Sequence, residues 1–132
     1  MRAYVDADLL IWQLRGDPRA TECLRRLAGD PAYEMWLGAM QRAEIVCFMR
    51  PEEEAATVLL LSQLRTAPVD QAVVDDAARL YRQWHASHGL DLHDALLAAT
   101  AMRSGGRIYT LNLKHYPMPE VSVERAWPED SA

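Results

Sequence analysis

No apolar stretch in this chain approaches the roughly 18 residues that a bilayer-spanning helix requires, so the sequence carries no transmembrane helix. Cysteine is scarce. Cys23 and Cys47 stand in segments that read as helices, and no metal-type spacing links them. A reducing compartment argues against a disulfide, and both are expected as buried free thiols. Positive charge is not in excess either: 14 Lys and Arg face 19 Asp and Glu, a formal net charge of −5. A general nucleic-acid coat would be basic. If this chain acts on RNA, its acids must be clustered for a purpose and offset by metal ions. Lys114 is the only lysine, so the other basic residues are arginines, which suit local phosphate contacts. Linkers, internal repeats and low-complexity segments are absent. The first acid comes as early as Asp6, which leaves no room for a signal-peptide core, and a cytoplasmic protein is expected. The 132 residues suit one domain over 1–132, with a short C-terminal tail from about 127, and suffice to bury a core.

What is present is an alternation of short apolar runs with helical patterns. That alternation predicts an α/β domain with a mostly parallel sheet. Strands are expected at Arg2 to Val5, Tyr33 to Leu37, Thr66 to Val69, Arg107 to Thr110 and Val121 to Val123. Helices are expected from about Leu9 to Leu14, Pro18 to Ala28, Ala39 to Met49, from Pro51 onward, Gln71 to Ser87, and after Asp91 to Ser104. Pro18 and Pro51 suit first helical positions, Asp70 and Asp91 suit N-caps, and Gly89 and Gly105-Gly106 suit stops. Glu52, Glu53 and Glu54 read as a helix start that complements the dipole. The helix after Asp91 is rich in Ala and Leu, as a helix buried on most sides would be.

Four polar positions share a topological feature. Asp6 and Asn112 each follow a strand, and in open parallel sheets ligands bind beyond the carboxyl ends of the strands. Glu44 and Asp94 lie on helices able to reach the same edge. Gathered carboxylates repel one another unless a cation or protons intervene. Hard divalent ions prefer such ligands, and one or two of them can activate water against a phosphodiester. Taken singly, each residue has an ordinary alternative. Asp6 can end a strand, Asp94 can be a helix-start acid, Glu44 a solvated helix residue, and Asn112 a turn residue.

The segments YVDADLLIW, QRAEIVCF, LDLHDALLAATAMRSGG and IYTLNLKHYP resemble, in order, the signature blocks of PIN domains. The nearest group is the VapC-type toxins of bacterial toxin–antitoxin pairs. The most specific block is DALLAATA, followed by a glycine turn and a strand ending T-x-N. The resemblance implies a three-layer α/β/α sandwich around a mostly parallel central sheet. It implies a Mg²⁺- or Mn²⁺-dependent endoribonuclease leaving a 5′-phosphate and a 3′-hydroxyl. It also implies a cognate antitoxin and a homodimer. By resemblance the metal ligands are Asp6, Glu44 and Asp94, with Asn112 assisting where the family often has Asp. The family usually has a small hydroxyl residue and then Asn after its first acid; Ala7 and Asp8 stand there instead. Asp8 and Asp91 are expected as outer-shell contributors, and His115 as a substrate contact.

Other readings compete. His85 and His88, with His93 and His115, raise a zinc or histidine-ribonuclease site, but no His-Glu-x-x-His pattern occurs and the first two fall at a helix end, where histidine is ordinary. The changes at Ala7, Asp8 and Asn112 make a catalytically impaired PIN-like module, binding RNA or protein, the main alternative. A phosphatase or DNA nuclease is another. The four tryptophans, Trp12, Trp36, Trp84 and Trp127, read as packing residues, some of them at an interface.

Overall fold

The computed structural model describes residues 1–129. Its centre is β1 (Arg2–Val5), a strand whose alternate residues feed two different cores. Ala3 and Val5 point to one face of the sheet and Tyr4 to the other, all fully buried, as period-two geometry dictates. On one side β1 pairs with β2 (Glu34–Gly38), which pairs with β3 (Arg65–Ala67). On the other it pairs with β4 (Arg107–Thr110), which pairs with β5 (Ser122–Arg125). All four pairings are parallel, in the order β3-β2-β1-β4-β5.

Helices cover both faces, giving the expected α/β/α layers. The first core joins α1 (Ala7–Leu14) and α2 (Pro18–Gly29) to Leu37, Ile45, Tyr109 and Trp127. The second joins α5 (Gln71–His88) and α6 (Leu92–Ser104) to Tyr4, Ile108 and Met118. The alanines of α6 let it pack closely; Ala95, Ala98, Ala99 and Ala101 have no exposed surface. α3 (Ala39–Phe48) follows β2, and α4 (Glu54–Leu61) follows a single 3-10 turn at Pro51–Glu53. In that turn Glu53 accepts the Arg50 N–H at 2.9 Å, so the acids do open a helix. Gly89 and Gly105 end α5 and α6 at φ 65° and 69°, a region that favours glycine.

The departures from expectation have simple causes. The third strand ends at Ala67 because Pro68 has no N–H to donate. β5 runs on to Arg125, beyond the apolar Val121 to Val123 run, because pairing with β4 needs only backbone and continues to Thr110↔Arg125. Cys23 is buried, but Cys47 is exposed, which corrects the expectation of two buried thiols. Cys47 lies two residues beyond the buried Ile45, about 200° around the helix axis and so on the outer face. Trp127 packs in the first core with 9% of its surface exposed. The end of the expected tail, residues 130–132, lies outside the described residues.

Among the described residues no helix is long and apolar enough to cross a membrane. Gly106 sits where β4 enters the sheet, and a Cβ there would meet the Tyr4 ring at 2.5 Å and the Arg2 carbonyl at 3.0 Å. Gly106→Ala is therefore expected to destabilise the fold by about 1–3 kcal/mol, a fall of several degrees in a melt. An unchanged midpoint would show that Tyr4 is free to move aside.

Candidate active site

The chain first builds outward from β1 through β2 to β3, then returns to add β4 and β5 on the opposite side. The strand order therefore reverses between β1 and β4, and a crevice opens at their carboxyl ends. Asp6 stands there. Its N–H donates to the Tyr109 carbonyl at 3.0 Å, continuing the ladder, while its carboxylate caps α1 by accepting the Ala7 N–H at 2.8 Å. Across the crevice, Asp91 caps α6 by accepting the Asp94 N–H at 2.8 Å, which fixes Asp94 in the first turn. Glu44 comes from the middle of α3. Asp6, Asp8, Glu44, Asp91, Asp94 and His115 all line one cleft of about 280 Å³, together with His93.

The acids are held by named donors. Asp6 Oδ2 accepts the Tyr116 hydroxyl at 2.7 Å and the Thr110 hydroxyl at 3.0 Å. The Tyr116 hydroxyl also reaches Asp94 Oδ1 at 3.2 Å. It has one proton, and the shorter contact marks Asp6 as the main acceptor. Asp8 Oδ1 accepts the Leu9 N–H at 2.6 Å, and its Oδ2 accepts the Leu111 N–H at 3.0 Å. Glu44 Oε1 lies 2.9 Å from His93 Nδ1, and Asp94 Oδ2 lies 3.3 Å from His115 Nδ1.

Asn112 lies outside the residues that line the cleft. Its side-chain amide faces His115 Nε2 at 2.9 Å, so it reaches Asp94 only through that ring. His85 and His88 belong elsewhere. His85 Nδ1 faces the Leu90 carbonyl at 2.8 Å and stacks on Tyr81, and His88 faces Ser87. Sequence reasoning missed Tyr116 and Thr110. Position 7 brings no hydroxyl, yet two hydroxyls from the β4 side of the crevice reach Asp6. His93 was weighed only with the other histidines, as part of a zinc or histidine-ribonuclease site, and not as a partner of Glu44.

The cleft carries more negative charge than its donors offset. Burial, then the charges of Asp91 and Asp6, push the Asp94 carboxyl from its usual 3.8 up to about 7. Burial also raises Glu44, against the opposing pull of His93, and raises Asp8, with Asp6 adding to the effect. Tyr116 is raised by burial and by the charges of Asp6 and Asp94, so it stays a neutral donor. The donors offered here are hard oxygens in excess negative charge, which fits Mg²⁺ or Mn²⁺. Among the described residues no three His, Cys, Asp or Glu side chains converge tightly enough to enclose an ion as they stand. Asp6 faces the Tyr116 and Thr110 hydroxyls, Asp94 faces Tyr116 and His115, and Glu44 faces His93.

The Asp94 shift has a defined consequence for stability. Folding favours its protonated form, so its contribution is full below the usual 3.8 and is lost as pH rises through about 7. Glu44 and Asp8 act in the same direction. Without added metal, the melting midpoint of Asp94→Asn is expected to exceed that of the wild type by several degrees at pH 8, with the gap narrowing toward pH 5. Two parallel curves would show that Asp94 carries no such strain.

The chain is similar to known proteins in sequence and in fold. Ribonuclease VapC10 of Mycobacterium tuberculosis is 32% identical over 117 residues, covering 88% of this chain and 86% of the relative. Ribonuclease VapC19 of the same species is 30% identical over 115 residues, covering 86% and 91%. The fold is shared with VapBC2 from Rickettsia felis, solved bound to a DNA fragment from their promoter, at a TM-score of 0.81 and 16% identity, over 97% of this chain and 100% of that one. A toxin–antitoxin complex from Klebsiella pneumoniae matches at 0.77 and 23% identity, over 95% and 98%. The PIN domain family matches residues 3–119, so nearly the whole described fold, with the acid cleft at its strand reversal, belongs to the PIN domain family.

Proposed function

We propose that this chain is a divalent-metal-dependent endoribonuclease and the toxin of a toxin–antitoxin pair. The observation that carries the reading is the buried Asp6–Asp94 pair at the strand reversal, with Glu44 beside it and negative charge left uncompensated. The relatives named as ribonucleases, and the neighbours solved as toxin–antitoxin complexes, support the substrate and the partner.

Asp6, Glu44 and Asp94 would hold Mg²⁺ or Mn²⁺. Asp8 and Asp91 shape the field around them, and Asn112 acts through His115. A bound divalent ion supplies charge neutralisation at the phosphate and a lowered pKa for water. The chain's own part is to place that charge. Asp91 fixes the start of α6 and hence Asp94, while the Thr110 and Tyr116 hydroxyls fix Asp6. His115 is half exposed at the cleft mouth and would touch the RNA. The products carry a 5′-phosphate and a 3′-hydroxyl.

The antitoxin would cover the α3–α4 side. Phe48, Val58 and Leu59 are 82%, 55% and 65% exposed. A groove of about 380 Å³ lined by Leu14, Leu24, Leu59 and Leu60 runs between α2 and α4. A second groove, lined by Ile11, Ile45 and Phe48, shares Glu44 with the acid cleft. A homodimer in the cytoplasm completes the reading. The alternative is a PIN-like module that binds without cleaving, favoured by the uncharged Asn112 turned onto His115.

Incubating a mixed RNA pool with the protein and Mn²⁺ separates the two. Cleavage is expected, ending on chelation. Asp6→Asn and Asp94→Asn should each lose more than the roughly 10–100-fold that loss of an outer hydrogen-bond partner costs. Products ending in 2′,3′-cyclic phosphate, or full activity in Asp6→Asn, would contradict the metal-dependent reading. Binding with no cleavage would favour the module.

A further inference from the structure

Two hydroxyls reach the carboxylate of Asp6, and they reach the same oxygen. An ionised carboxylate offers about four acceptor sites, two on each oxygen. Oδ2 of Asp6 receives Tyr116 at 2.7 Å and Thr110 at 3.0 Å, which fills it. Among the described residues, Oδ1 receives only the Ala7 N–H, at 2.8 Å. One acceptor site on Oδ1 is therefore left over.

Neither hydroxyl is free to wander. The Tyr116 ring is 5% exposed and packed in the second core, with Met118 and Val121 in the same cluster. Its hydroxyl also lies 3.2 Å from Asp94 Oδ1, so one rigid group spans both carboxylates. Thr110 is fully buried at the end of β4, and its oxygen accepts the Asn112 N–H at 3.1 Å. That backbone donor turns the threonine proton away from Asn112 and toward the acids, where Asp6 Oδ2 lies at 3.0 Å and Asp8 Oδ2 at 3.2 Å.

We propose that Tyr116 and Thr110 are positioning residues for the divalent ion: together they occupy Asp6 Oδ2, present Oδ1 to the cation, and through Tyr116 set the spacing of Asp6 and Asp94. The proposal rests on the metal-dependent reading above and adds to it the residues that orient its ligands. It also gives Asn112 a role that its side chain does not show, because its backbone N–H aims the Thr110 hydroxyl. A hydroxyl that only filled the cleft in the absence of metal would act in the opposite sense: it would compete with the cation, and its removal would tighten binding.

Calorimetric titration of Mn²⁺ into wild type, Tyr116→Phe and Thr110→Val tests this, with a metal-free melt of each protein beside it. Both substitutions keep the shape of the side chain and remove the hydroxyl. Tyr116→Phe is expected to melt within a few degrees of the wild type yet bind Mn²⁺ about tenfold more weakly. RNA cleavage should then need more Mn²⁺ for half-maximal rate and recover toward the wild-type rate at saturation. Thr110→Val should weaken binding in the same direction, and it carries the test should the buried Phe variant not fold. Unchanged or tighter Mn²⁺ binding in the folded variants would overturn the proposal. Absence of Mn²⁺ binding in the wild type would overturn the metal reading, and this one with it.

Discussion

Asp6 and Asp94 are 7% and 8% exposed and share a single tyrosine hydroxyl between them. Burying two carboxylates side by side is costly, because each loses its hydration and repels the other. The protein offsets part of that cost with donors that bring no charge of their own: the Thr110 and Tyr116 hydroxyls and the Ala7 N–H. Full compensation would need a cation. The remaining imbalance is visible in the Asp94 carboxyl, held near 7 by burial and by neighbouring acids. A site in this condition is stabilised by whatever positive charge enters it, which is how a structural strain becomes a functional one.

The fold creates the condition and also bears it. β1 is buried on both faces and leads straight into Asp6, which is buried and lines the crevice. Its N–H is still part of the sheet, bonded to Tyr109. Asp94 is fixed by a different device, the Asp91 cap at the start of a helix whose alanines press it against the sheet and α5. Glu44 is half-buried on α3 and paired with the exposed His93.

Much of this was legible in the sequence, and for definable reasons. Asp6 and Asp8 interrupt an apolar strand-like run, and Asp94 opens an Ala-rich helix. Both are breaks in a hydrophobic period, which sequence displays directly. The α/β class and the mostly parallel sheet followed from strand and helix patterns, the three layers from the family resemblance, and the helix ends from Gly89, Gly105 and the Asp caps. Tyr116 and Thr110 were not legible as site residues, since their hydroxyls act across separations of 110 and 104 positions from Asp6. Nothing local distinguishes them from core residues. Asn112 shows the converse. Its place in the T-x-N strand end pointed to the metal, but its side chain turns to His115 and reaches Asp94 only through that ring, while its backbone N–H reaches the acids through Thr110. Cys47 misled because its neighbours are apolar, while helix geometry put it on the outer face.

The central claim is that the acid cluster is a cation site. A thermal melt at pH 8, with and without Mn²⁺, on wild type and Asp94→Asn tests it without knowledge of the RNA. Mn²⁺ at about 100 times its dissociation constant should add roughly 2.7 kcal/mol, a rise of several degrees for a domain of this size. The account predicts that rise in the wild type and its loss in Asp94→Asn. No rise in the wild type, or an equal rise in both proteins, would contradict it.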